Sequence, residues 1–198
     1  MTEYAVAIML SPEHARLVLG ARALVLGEER PYAPHVTVKS PFFVEGEPRP
    51  VFDRIATIVS RHESFRVEIG GIGHFAGPVD NVIYLAVAAT PELVRLHHDL
   101  ATGIAGETRH SRAYNSILEL DHYVPHVTIA GSLTGERLTA GLAALSGIQP
   151  AFSFVCTHVT LGASEDGRVW TLLTDYPLGH APRTPHFVAH DTATFEPG

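Results

Sequence analysis

With 198 residues, 45% of them apolar and 18% charged, the chain is long enough to bury a core, and it has no apolar run near the roughly 20 residues a membrane-spanning helix needs. A formal charge of -7, with Lys39 the only lysine, excludes the broad basic surface of an extended nucleic-acid footprint but leaves room to grip one phosphate locally. The single cysteine, Cys156, excludes an intramolecular disulfide; no leader is expected from Met1-Thr2-Glu3-Tyr4, and the expected location is the cytoplasm.

In chain order the sequence reads as one pattern written twice. Residues 4–10 form an apolar run of strand length, followed by Ser11-Pro12-Glu13. That triplet predicts a helix start: a hydroxyl accepts from free N–H groups, proline fits the first turn, and an acid favours the positive end of the dipole. The helix is expected over 12–26. A strand follows at Tyr32-Ala33-Pro34-His35-Val36-Thr37-Val38, then a helix near 50–62 and a closing strand at 65–72. The order then repeats. Residues 82–89 form a strand, Thr90-Pro91-Glu92 starts a helix over 91–103, and a polar, aromatic insert runs from 109 to 122. Tyr123-Val124-Pro125-His126-Val127-Thr128-Ile129 is the second copy of the motif, followed by a helix over 134–145 and a closing strand at 152–161. One domain is expected over 1–176, with repeats at about 1–80 and 81–176. Residues 177–198 read as a tail rich in proline and histidine.

Residues two apart on a strand point the same way. His35 and Thr37 therefore share one face, as do His126 and Thr128, while Val36, Val38, Val127 and Ile129 face a core. If a pseudo-twofold pairs the lobes, the two His-Thr faces meet across a cleft. That arrangement suits displacement at phosphorus. One imidazole takes a proton from the attacking oxygen, the other gives one to the leaving oxygen, and the threonine hydroxyls donate to the non-bridging oxygens. No cofactor is needed for this chemistry. No metal is expected either, because neither motif carries a His-x-His, a cysteine pair or a carboxylate at ligand spacing. A third copy, His158-Val159-Thr160, lacks the preceding proline and tyrosine and reads as structural or exposed.

On these motifs the chain resembles the 2H phosphoesterase superfamily, the group of the bacterial 2′-5′ RNA ligase and the cyclic nucleotide phosphodiesterases. The resemblance covers residues 4–176. Phe75-Ala76-Gly77-Pro78 and Val159-Thr160-Leu161-Gly162-Ala163-Ser164 are similar to weaker landmarks, and Lys39-Ser40-Pro41-Phe42 to a bacterial subgroup. It implies a bilobal α+β fold, two pseudo-twofold-related lobes with antiparallel sheets and helices around a central cleft. It also implies hydrolysis or ligation at ribose 2′/3′ phosphates, with His35 as acid and His126 as base. Some members add a cation beside the phosphate and an aromatic that stacks on the base; here Lys39, Arg112, Tyr32 and Tyr123 are the candidates. Lys39 has a strand-end cap as its alternative, Arg112 a solvated charge, and either tyrosine a place in the core. The expected partner is a nucleotide cyclic phosphate or an RNA end, bound by a monomer away from any membrane. A non-catalytic module that binds RNA ends stays open as the second function class.

Overall fold

Helices begin where local side chains satisfy the N–H groups of a first turn. In the computed structural model, which describes residues 1–27, 33–77, 81–112, 119–179 and 193–194, helix α1 (Pro12–Leu26) opens with the Ser11 hydroxyl accepting from the His14 N–H. It closes at Gly27, whose φ of 72° suits a residue without a side chain. Helix α3 (Pro91–Gly103) repeats the opening, with Thr90 accepting from the Leu93 N–H. Helix α4 (Gly135–Ala144) is capped by Thr134 in the same way. Such caps are each worth about 1 kcal/mol. Helix α2 (Pro48–Val59) has proline in its first turn and no side-chain cap; it starts and ends earlier than its expected span. No helix among the described residues is long and apolar enough to cross a membrane.

The strands are β1 (Glu3–Met9), β2 (His35–Val44), β3 (Phe65–Ala76), β4 (Asn81–Val87), β5 (Thr108–His110), β6 (His126–Leu133), β7 (Ala151–Cys156), β8 (His158–Ser164), β9 (Val169–Pro177) and β10 (Ala193–Thr194). They form two antiparallel sheets, ordered β10-β9-β8-β1-β2-β5 and β6-β4-β3-β7. The architecture among the described residues is α+β, two antiparallel sheets with four helices, and a curled half-barrel sheet is present. The sheets do not follow the halves of the sequence. Each contains a motif strand, a first strand and a closing strand, as β2-β1-β8 and β6-β4-β3, but the closing strand comes from the other half. Helices cross as well: α1 packs on β6 of the second sheet and α3 on β2 of the first.

The single closing strand expected at 152–161 is two strands. Phe152, Phe154 and Cys156 alternate inward on β7, opposite Ile69, Val67 and Phe65. After Thr157 the buried positions become Val159 and Leu161, on β8 beside β1. The alternation slips by one residue at Thr157, and the chain changes sheets there. From the tail, Ala193 and Thr194 return to pair with Trp170 and Val169.

Candidate active site

Both histidine strands carry the same irregularity. On β1, Val6 pairs with Lys39 and the next residue, Ala7, pairs with Thr37, so Val38 is an extra residue on β2. On β4, Ile83 pairs with Ala130 and Tyr84 with Thr128, so Ile129 is extra on β6. Each motif thus has a β-bulge directly after its threonine. The bulge decides which side chains reach the cleft. In an unbroken strand, residue 39 would share the face of His35 and Thr37. Past the bulge it turns inward instead. Val38 and Lys39 are both buried on β2, as Ile129 and Ala130 are on β6.

Lys39, one candidate for the phosphate cation, is instead committed inside the protein. It is 2% exposed, and its ammonium donates to Glu119 Oε1 at 2.7 Å. The Ser40 N–H donates to the same oxygen at 3.1 Å, and His110 Nε2 lies 3.7 Å from the other. A buried ammonium in this position needs its carboxylate, and the pair holds the insert against β2.

The two imidazoles are anchored identically. His35 Nδ1–H donates to the Ala33 carbonyl at 2.9 Å, and His126 Nδ1–H donates to the Val124 carbonyl at 2.8 Å. A carbonyl only accepts, so Nδ1 carries the proton of each neutral ring and Nε2 is the nitrogen that could take one up. Burial pulls the His35 pKa down from 6.5 to about 4; its backbone bond opposes this, and the charge of His126 adds to it. Burial also lowers His126, against its bond to Val124. Strands β2 and β6 contact each other, and a proton on one ring disfavours a proton on the other. Thr37 is partly buried opposite Ala7, and Thr128 is buried opposite Tyr84, each on the face of its histidine.

Sequence reasoning missed an aromatic shelf beside His126. The Phe75 ring meets the imidazole edge-on at 5.1 Å, Tyr84 lies 5.2 Å away, and the two rings are 4.5 Å apart. A Cβ on Gly73 would overlap the Tyr84 ring, so glycine lets that ring lie flat on β3. The cue was weak: Phe75 opens a short landmark, but its pairing opposite Val82 on β4 is long-range information.

The other expected contacts lie elsewhere. Tyr123 stacks on His97 at 3.8 Å, and its hydroxyl donates to the Thr37 carbonyl at 2.7 Å, so it braces the backbone of the first motif. Burial raises its pKa and keeps the hydroxyl a donor. Arg112 lies beside Gly167, near the Glu3 end of β1, whereas His35 pairs at the Met9 end, about 20 Å along the strand. Tyr32 lies outside the described residues. His158 is exposed, and Thr160 donates to Asp175 at 2.6 Å. Among the described residues, no group of three or more His, Cys, Asp or Glu side chains could hold a metal ion.

Comparison with known proteins identifies the family and the fold. The profile of the 2′-5′ RNA ligase superfamily matches residues 12–168. A Bacillus anthracis protein, provisionally named as a phosphoesterase, is 34% identical over 102 residues, 51% of this chain and 53% of its own length. The chain thus spans about half the length of the curated relatives it matches. Among solved structures, E. coli LigT in complex with 3′-AMP superposes with a TM-score of 0.59 at 21% identity, over 90% of this chain and 99% of that one. TT0787 of Thermus thermophilus gives 0.59 at 17% identity, over 89% and 98%. Usb1 of Kluyveromyces marxianus with uridine monophosphate gives 0.54 at 13% identity, over 89% and 98%. At these identities the likeness is one of fold.

Proposed function

Since the chain belongs to the 2′-5′ RNA ligase superfamily, we propose that it opens 2′,3′-cyclic phosphates of nucleotides or RNA ends by hydrolysis, using His35 and His126 as its acid–base pair. The observation that carries this reading is the duplicated, equally anchored imidazole on a bulged strand. One Nε2 takes a proton from a water whose oxygen forms a bond to phosphorus. The other Nε2 gives a proton to the ribose oxygen as its bond to phosphorus breaks. Thr37 and Thr128 donate to the non-bridging oxygens, where charge shifts during the displacement. The resemblance gives the acid's role to His35 and the base's to His126.

Two further observations support a nucleotide substrate. Solved structures of similar fold hold 3′-AMP and uridine monophosphate. Here Phe75 and Tyr84 offer a flat apolar face beside His126, suited to a base. Hydrolysis of a short substrate is favoured over ligation of long RNA by the net charge of -7.

The test is turnover of 2′,3′-cyclic AMP. His35→Ala and His126→Ala are each expected to lower it at least ~10²-fold while circular dichroism stays native. Unchanged turnover in either variant rejects the assignment. Binding of the nucleotide with no turnover by the wild type would favour a module that only recognises RNA ends.

A further inference from the structure

The bulge after each catalytic threonine needs support. It leaves the carbonyl of the extra residue outside the ladder, at a strand edge. At the motif, β2 has no strand beyond it, since β5 covers only Phe42–Val44, and β6 ends its sheet. A buried carbonyl without a donor bears the full cost of losing water. The chain could also regain a regular ladder by slipping one residue. Such a slip sends alternate side chains to the opposite face, so the histidine and threonine would enter the core.

Both extra carbonyls are met by a buried side chain from an equivalent helix. His97 of α3 donates from Nδ1 to the Val38 carbonyl at 2.6 Å. Arg22 of α1 donates from Nη1 to the Ile129 carbonyl at 3.3 Å. The two are 1% and 3% exposed. Each reaches across lobes, because α1 follows β1 yet packs on β6, and α3 follows β4 yet packs on β2. His97 is held on every side. Its Nε2 accepts the Leu120 N–H at 2.8 Å, and its ring stacks on Tyr123, which itself donates to the Thr37 carbonyl. Both ring nitrogens are thereby committed with the ring neutral, and burial holds it so.

We propose that His97 and Arg22 are positioning residues that hold the two bulges in register and so aim the His-x-Thr pairs at the phosphate. Neither touches substrate. The proposal rests on the phosphoesterase reading for its kinetic arm and on backbone protection for its second arm.

His97→Asn places an amide N–H where Nδ1 stands; His97→Leu has no donor. Both lose the ring stacking and the Leu120 bond, and the leucine variant, which also strands the Val38 carbonyl, should be the less stable of the two. The expected result is a fall in kcat for 2′,3′-cyclic AMP of roughly 10–100-fold in His97→Leu, with KM within about threefold, and recovery of most of kcat in His97→Asn. Amide hydrogen exchange over residues 35–40 should be faster in the leucine variant and close to wild type in the asparagine variant. Equal kcat in the two variants, together with equal exchange, overturns the proposal. Absent turnover in the wild type would fail the phosphoesterase reading alone, and exchange would still decide this one. Should His97→Leu not fold, Arg22→Met against Arg22→Lys puts the same question to β6, read over residues 126–131.

Discussion

The two histidine strands share a backbone and differ in what surrounds it. On β2, His35 is buried, Lys39 and Glu119 form a sealed ion pair behind the bulge, and Tyr123 and His97 brace consecutive carbonyls. On β6, His126 is partly exposed, Ala130 occupies the place of Lys39, and the neighbours of the imidazole are Phe75 and Tyr84. The repeated part fits the proposed proton transfer: a fixed ring with a hydroxyl two residues on. The unlike parts divide the remaining work. The β2 side is locked by polar contacts, and the β6 side carries the rings proposed to meet a base.

Removing one half of the ion pair should disturb this contrast most. Lys39→Met leaves a carboxylate buried without its cation and should cost about 3–5 kcal/mol in urea denaturation at neutral pH. Lys39→Met with Glu119→Gln should recover more than half of that, because the amide oxygen still accepts from Ser40. A double variant as unstable as the single one would mean that packing, not charge, sets the loss.

The second effect separates the strands by pH. His35 has its pKa lowered to about 4 from 6.5. Its stabilising contribution is complete above about pH 6.5 and is lost as pH falls toward 4, because the unfolded chain binds the proton first. The window is worth on the order of 3 kcal/mol. His35→Gln should flatten the stability–pH curve in that interval by up to this amount, and an unaltered slope would contradict a buried neutral ring.

Tyr84→Ala should act on the β6 side alone. Loss of one stacking face is worth about 1–3 kcal/mol per base, so KM for 2′,3′-cyclic AMP should rise roughly tenfold or more with kcat little changed. A matching fall in kcat would instead make the ring a support for His126. Smallest is Tyr123→Phe, which keeps the stack on His97 and removes one hydrogen bond; about 0.5–1.5 kcal/mol of stability should go.

Local features were legible in the sequence. Ser11-Pro12 and Thr90-Pro91 mark the starts of α1 and α3, and period-two reasoning places Val36 and Val127 inside with His35 and His126 opposite. What escaped is set by partners far along the chain. The bulges exist only relative to β1 and β4, and the aim of Lys39 depends on one of them. Glu119 is 80 positions from Lys39, and Arg22 is 107 from Ile129. The break at Thr157 left a trace, a slip from even to odd apolar positions between Cys156 and Val159, but nothing local says that the chain leaves one sheet for the other. Arg112 could be read either as a phosphate contact or as a solvated charge, because an insert's charge carries no address.

The exchange of closing strands has a bearing on how this molecule comes into being. The middle of the six-stranded sheet is missing until β8 arrives from late in the chain, and in the four-stranded one β3, from the first half, must wait for β4 and β7 to flank it. A gene cut near residue 80 should yield two insoluble fragments, each with a gap where the lost ribbon belongs. Mixed while refolding, those fragments should reassemble into one active particle, since the interlocking that forbids separate life also dictates a single way to fit together.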